Sequence, residues 1–462
     1  MFKTRFRLKF IAIYYSFSLA LMGLFPWATR IAGDTNLPPL KPLSRFIINL
    51  IFLNLGLAYA CLVTHRMNEP LAKKLWAVFI VVAVFLCALP PVFSGDLYEY
   101  LIRGRILGVY HQNPYMHASV EFPQDKFFSH SVWIHTPENY GPVWAMVQWI
   151  MPTFFGQSIP LAVFMQKILL LGFFAASGFI FFKVAKRIAP AQAHKLTLAF
   201  VLNPNLWVHH LVDGHNDIVM VFWMLLALYA MIRNEAVWSL MAATMGALVK
   251  FTSLILLLVL GAAFLKSIFK NKRSKKFRII AQAFAAVLFL VVVCYAPFWA
   301  GKETLLYFST FKEWFYTNSV PYAFYMLLNK AGVSVSTILM GKAFMAFFAV
   351  NVFAALVRFW MGPDSKPLLI FRTVLWMFLA LYASYAIPFY GHHFSWGMPF
   401  LILSQVPLAP LALILYSMAG VFAYFKRLSF LYLAGWLIYL AALGITAYRR
   451  DRLSKEAAND AT

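Results

Sequence analysis

"LWAVFIVVAVFLCALPPVFSGDLYEYLIRGRILGVYHQNPY", residues 75–115, decides the fold. Its first half is an apolar run of the length that crosses a bilayer as a helix. Its second half sets Asp96, Glu99, Arg103, Arg105 and His111 among tyrosines and closes on Asn113-Pro114-Tyr115. A span followed at once by a charged, aromatic and proline-fixed segment describes a chain that leaves a membrane and folds against its surface.

The rest of the chain agrees. Of 462 residues 62% are hydrophobic and 12% charged, where a soluble domain carries about 25% charge. An all-α polytopic membrane protein is the expected class. The formal net charge is +24, but the basic residues sit in short tracts between apolar runs, as the positive-inside rule requires. Nucleic acid is therefore not an expected partner. Membrane lipids are, with anionic headgroups able to meet the basic tracts. Cys61, Cys87 and Cys294 all fall within apolar runs and read as small core residues, not as a disulfide or metal set.

The tract MFKTRFRLKF places the N-terminus in the cytosol. The first run, 9–29, is too long for a signal-peptide core and reads as a retained span. Spans at 46–64 and 75–93 follow, so residues 94–141 form an outer loop. A short apolar stretch at 142–157 lies at the outer surface, and a span at 160–183 returns to "KVAKRIAPAQAHK". The next segments are interrupted: 196–210 breaks at Asn203-Pro204, 217–233 comes back, 237–250 ends at Lys250, and 251–266 leads to a basic cytosolic loop at 266–278. Non-helical backbone at membrane depth survives only inside protein or against a wet cavity, so these breaks predict an outward-opening cavity. Spans at 279–298, 337–358, 367–388 and 429–448 bring the expectation to about 12–14 in one domain, 1–462, with a cytosolic C-terminus. Nine of the eleven histidines, and ten of the sixteen acids, then fall on the outer side. A transporter would hold its polar groups at mid-membrane between repeats.

Asp96 stands at the end of a span, either as a helix cap or as a carboxylate able to act as general base on a hydroxyl. Arg103 and Arg105 could pair with it or fork onto phosphate. "NPNLWVHHLVDGHND", 203–217, gathers His209, His210, Asp213, His215 and Asp217. Metal ligation is open to these residues, but the order is no standard zinc spacing, and a donor or acceptor pocket is the preferred reading. Lys250 lies within an apolar run, where a lysine either snorkels outward or faces a cavity and holds an anion. "YGHHFSW", 390–396, adds His392 and His393.

Taken in order, these pieces resemble the GT-C superfamily of membrane glycosyltransferases, and within it the bacterial polyprenol-phosphate-mannose-dependent α-mannosyltransferases. That family carries a pattern like D-x-Y-R-Y-x-x-x-G-R, then N-P-Y, then Y-P-P. Here it stands as Asp96, Tyr98, Tyr100, Gly104 and Arg105, then Asn113-Pro114-Tyr115, then Tyr140-Gly141-Pro142. A later N-P followed by G-H-N-D is matched by Asn203-Pro204 and Gly214-His215-Asn216-Asp217, and an A-x-L-x-K pattern resembles the segment from Ala247 to Phe251 around Lys250. The chain departs from the pattern at Glu99, Arg103, Phe251 and "FYGHHFSW".

The resemblance implies a GT-C-type bundle whose outer loop forms juxtamembrane helices. It implies Asp96 as catalytic base and a polyprenyl-phosphate-linked hexose, most readily mannose, as donor. The acceptor is a hydroxyl on a lipid or glycan at the outer leaflet of a bacterial cytoplasmic membrane. Lys250, Arg105, Arg103, His215 and His392 are the expected phosphate contacts. Tyr98, Tyr100, Asn113, Tyr115, Tyr140, Asn216, Asp217 and His393 are the expected substrate pocket. No cofactor is expected, a divalent metal being the one exception weighed. The alternatives are a transporter or flippase for an anionic lipid or sugar, and an outer-leaflet transferase of acyl or phospho groups.

Overall fold

The structure, a computed structural model, describes residues 80–91, 94–270, 276–304, 319–362, 367–384 and 390–405. The expected spans at 9–29, 46–64 and 429–448, the prolines at 407 and 410, and Cys61 lie outside these residues. Cys87 and Cys294 are buried thiols.

The described residues form helices and contain no strand. In chain order they include α1 (Asp96–Gly108), α2 (Pro142–Gln148), α3 (Ile150–Phe155), α4 (Ile159–Ile188), α5 (Ala193–Val201), α6 (Asp217–Ile232), α7 (Ala236–Ala247), α8 (Leu254–Lys270), α9 (Lys276–Tyr295), α10 (Val320–Lys330), α11 (Thr337–Met361), α12 (Pro367–Ser384) and α13 (Met398–Leu403). Five stretches among them are long and apolar enough to cross a membrane: Ile159–Ile188, Phe251–Lys270, Lys276–Phe298, Thr337–Met361 and Pro367–Ser384. The chain is an all-helical polytopic membrane protein. The stretch at 142–157 forms two short helices, and α10 was not expected from the sequence.

Local chemistry explains the bounds of α4. The Ser158 hydroxyl accepts from the Leu161 amide, Pro160 occupies the first turn, and Lys186 and Arg187 sit in the last turn against its negative pole. Lys167, buried in the first third of α4, donates to the Leu89 carbonyl at 2.6 Å and so anchors the segment that leads into the loop before α1. Helices α9 and α11 expose most of their apolar surface, including Phe284, Phe289, Phe347 and Phe353, as lipid-facing helices do.

Two helix breaks organise the centre. At the first, Pro204 cannot continue α5, and the Asn203 side chain accepts the Asn205 amide at 3.0 Å to start a new turn. A π-helical turn follows at Trp207–Val212, and the chain reverses at Gly214, whose φ of +75° lies in the left-handed region that glycine tolerates. At the second break, α7 ends at Ala247 and Lys250 is extended before α8 begins. Past the end of α7 the chain leaves the helix, so the Leu248 and Val249 carbonyls have no helical donors. The segment at the start of α2 supplies them: the Gly141 and Val143 amides donate to Val249 and Leu248, both at 3.0 Å.

This close docking is why glycine stands at 141, since a Cβ there would collide with the Leu248 carbonyl. Gly141→Ala is expected to cost about 1–3 kcal/mol by overpacking and to lower the melting temperature. Gly172→Ala in α4, where a Cβ meets open space, is the control and should leave melting unchanged or slightly raised; differential scanning fluorimetry in detergent compares the two.

Candidate active site

The breaks bring three segments to one place: the start of α1, the turn 207–217 leading into α6, and the 3-10 turn Gly391–Ser395. Asp217 opens α6, and one of its carboxylate oxygens accepts the Lys250 ammonium at 2.7 Å. The same oxygen takes the indole N–H of Trp396. Lys250 lies 5.1 Å from the ring centre of Tyr140 and 5.3 Å from that of Trp396, between two aromatic faces. It does not snorkel. Asp217 is fully buried and Lys250 is 14% exposed, so the lysine is the partly exposed member of the pair.

Asp96 faces this pair across His215. Its Oδ2 lies 3.5 Å from His215 Nδ1, and its Oδ1 accepts the Trp133 indole N–H at 3.2 Å. The side chain is 22% exposed while His215 is buried. Glu99, Glu138, Asp213 and Asp217 nearby are all closed to solvent. Asp96 is therefore the carboxylate among them that an incoming hydroxyl can reach.

A ring of histidines lines the other wall. His215 and His392 stack with centroids 3.8 Å apart, and His209 lies about 6 Å from each, at 6.0 and 6.1 Å. Burial pushes the pKa of His215 below the ordinary histidine value, against the pull of Asp96, Asp213 and Asp217. Burial and the neighbouring His215 and His393 depress His392 further. His210 holds the turn, its Nδ1 3.1 Å from the His215 carbonyl. His393 packs against Trp396 at 4.4 Å. Tyr100 is buried, with its hydroxyl 3.4 Å from that of Tyr140 and 3.5 Å from Asn216 Oδ1.

The two arginines are placed differently. Arg103 Nε lies 3.1 Å from Glu99 Oε1 without hydrogen-bond geometry, while its Nη atoms donate to Asn139 Oδ1 at 2.9 Å and to the Thr136 carbonyl at 3.0 Å. Glu99 also accepts from Ser119, Ser131 and the Trp133 amide. Arg105 Nε donates to Asp125 at 2.6 Å, which Tyr110 also reaches at 2.9 Å. Both guanidinium groups thus fasten the loop 115–140 to α1. Asn113 and Tyr115 brace the same loop: Asn113 Nδ2 donates to the Phe298 carbonyl at 2.8 Å, and the Tyr115 hydroxyl to the Tyr140 carbonyl at 2.7 Å. Tyr98 stacks on His130 at 5.0 Å.

The sequence reading missed Trp133, Trp396 and Glu138. Glu138 accepts the Asn139 and Tyr140 amides at 3.1 and 3.0 Å and pairs with Gln148. Burial raises its pKa, opposed by Arg103 and Gln148. An acid one residue before Asn139-Tyr140-Gly141-Pro142 was the available signal.

An all-helical membrane protein with a reachable carboxylate facing an ammonium and a histidine ring, at a site made by broken helices, has the layout of an enzyme acting at a bilayer surface. Residues 18–266, more than half of the chain, match the family described as alpha-(1->6)-mannopyranosyltransferase, N-terminal domain, and the chain belongs to that family. It is 29% identical over 135 residues to alpha-(1->6)-mannopyranosyltransferase A of Corynebacterium glutamicum, covering 28% of this chain and 26% of that protein. It is 29% identical over 158 residues to a protein of Mycolicibacterium smegmatis named as a probable alpha-(1->6)-mannopyranosyltransferase, covering 33% of this chain and 26% of that protein. The matched stretch thus spans about a quarter of the length of each relative.

Removing one member of a buried ion pair strands the other, at about 3–5 kcal/mol. Lys250→Met is therefore expected to destabilise the protein by leaving Asp217 uncompensated. The double variant Lys250→Met/Asp217→Asn should recover much of the loss, and thermal melting of the wild type, the single variant and the double variant reads this directly.

Proposed function

We propose that the protein is an inverting glycosyltransferase that moves mannose from a polyprenyl-phosphate donor to a hydroxyl acceptor at the outer leaflet of a bacterial cytoplasmic membrane. The family supports mannosyl transfer. The observation that supports the rest is a solvent-reachable carboxylate, Asp96, against buried His215, in the same site as the partly exposed Lys250 on Asp217.

In this reaction Asp96 takes the proton of the acceptor hydroxyl, whose oxygen attacks the anomeric carbon. The bond from that carbon to the phosphate oxygen breaks, and polyprenyl phosphate leaves with the electron pair. One displacement inverts the anomeric centre, so a β-linked donor gives an α-mannoside. Trp133 orients the base through its indole N–H, and Lys250 meets the charge that grows on the leaving phosphate. The aromatic rings of Tyr140 and Trp396 fix the ammonium, so little reorganisation is needed as charge develops.

Asp96→Asn keeps the size of the side chain and its acceptor oxygen for Trp133. The variant should melt near the wild-type temperature and transfer mannose at least about a hundredfold more slowly, the lower end of what a general base contributes. The assay follows mannolipid formation from polyprenyl-phosphate mannose by mass spectrometry, with purified protein in detergent. Turnover within a few-fold of wild type would remove Asp96 as the base. Absence of transfer by the wild type with any hydroxyl-bearing lipid or glycan offered would count against the transferase reading itself.

A further inference from the structure

The wall opposite Asp96 has a feature that the proposed transfer chemistry does not use. His215, Asp217 and His392 each place a ligand atom within 4.8 Å of the other two, and all three side chains are buried. They come from two separate parts of the chain, the Gly214 turn with the first residue of α6 and the 391–395 turn. Two imidazoles and a carboxylate are a donor set suited to a first-row divalent ion.

Two observations point to a ligand independently of that spacing. Asp217 sends one oxygen to Lys250 and Trp396, yet its other oxygen, Oδ2, is buried with no hydrogen-bond partner. His392 is 4% exposed and its Nδ1 is likewise buried without a partner. Buried polar atoms left unsatisfied are costly and call for an explanation. A cation bound through these two atoms would satisfy both at once.

Charge leads to the same place. Asp96, Asp213 and Asp217 carry three formal negative charges against the single positive charge of Lys250, and Arg103 and Arg105 are engaged with Glu99 and Asp125. Against this net negative balance Lys250 alone holds a phosphate weakly. A divalent ion offsets that balance and makes the site more attractive to an anion.

We propose that His215, Asp217 and His392 bind a divalent first-row transition-metal ion, with His209 and Asp213 as the neighbouring trio that shares His215. Donor atoms about 2.0–2.2 Å from the ion would stand roughly 3–3.6 Å from one another, so modest rotations of the three side chains close the set. The π-helical turn Trp207–Val212 carries His209 and leads into the ligand turn, and such turns recur at functional sites. An ion held there would share Asp217 with Lys250. It would act as a Lewis acid on the leaving phosphate. That role rests on the transferase reading, whereas the presence of the ion does not.

The test uses the full chain purified in detergent, stripped with EDTA, incubated with Mn2+ and desalted. Elemental analysis should find about one Mn2+ per chain, and its electron spin-echo spectrum should carry couplings from histidine nitrogen. His392→Gln and His215→Gln should weaken Mn2+ binding at least about tenfold, as loss of a ligand does at minimum. Wild-type protein that retains no Mn2+, or a spectrum without nitrogen coupling, overturns the proposal. So do folded variants that bind as tightly as wild type. If a variant does not fold, the wild-type spectrum and stoichiometry decide. Bound Mn2+ without mannosyl transfer would sink the transferase reading and leave the metal site. Undiminished transfer by metal-free protein that also fails to take up Mn2+ would do the reverse.

Discussion

The buried contact between Asp217 and Lys250 is the constraint on which the rest of the centre depends. Neither charge is tolerable alone in an apolar bundle. Asp217 must stand at the first turn of α6, and Lys250 must leave α7 in extended form to reach it at 2.7 Å. Both helix breaks therefore meet at one ion pair. Trp396 adds its indole N–H to the same carboxylate and ties the 391–396 segment to the pair. The freed carbonyls of Leu248 and Val249 take the amides of the segment at the start of α2, so the break that delivers the lysine also provides the dock for the opposite wall.

That wall is held by a second set of charges. Glu99, Arg103 and Glu138 form a closed group, and Arg105 with Asp125 and Tyr110 forms another. These groups place α1 and its first residue, Asp96, over the His215 turn. The arrangement separates the carboxylates by exposure: Glu99, Glu138 and Asp125 are buried within the scaffold, and Asp96 is 22% exposed. It also explains why a chain with so few charges concentrates them after one span. A loop without a large apolar core needs ion pairs and hydrogen bonds to fix the Asp96 side chain.

Much of this was legible in the sequence. The apolar runs at 160–183, 279–298, 337–358 and 367–388 became helices within a few residues of the expected bounds, because length and apolarity alone specify a span. The breaks at Asn203-Pro204 and before Phe251 were legible from proline and from a lysine in an apolar run. Asp96, His215, Asp217, Lys250 and His392 were singled out and meet in space. Arg103 and Arg105 were legible as cations but not as partners of Glu99 and Asp125, because pairing across a folded loop has no fixed spacing. Trp133 and Trp396 gave no signal either, since tryptophan at an interface is ordinary. The helix α10, at 11 residues, is too short to be found by the length that marks a span.

The central claim is that the Asp96 wall and the Lys250 wall form one reaction centre. A cryo-EM structure with a polyprenyl-phosphate sugar bound to Asp96→Asn protein measures it most directly. The account predicts the phosphate within hydrogen-bond distance of Lys250 Nζ, and the anomeric carbon between that phosphate and the side chain at position 96. A phosphate seated elsewhere, on the basic segment 266–278 for instance, with the sugar remote from position 96, would contradict it.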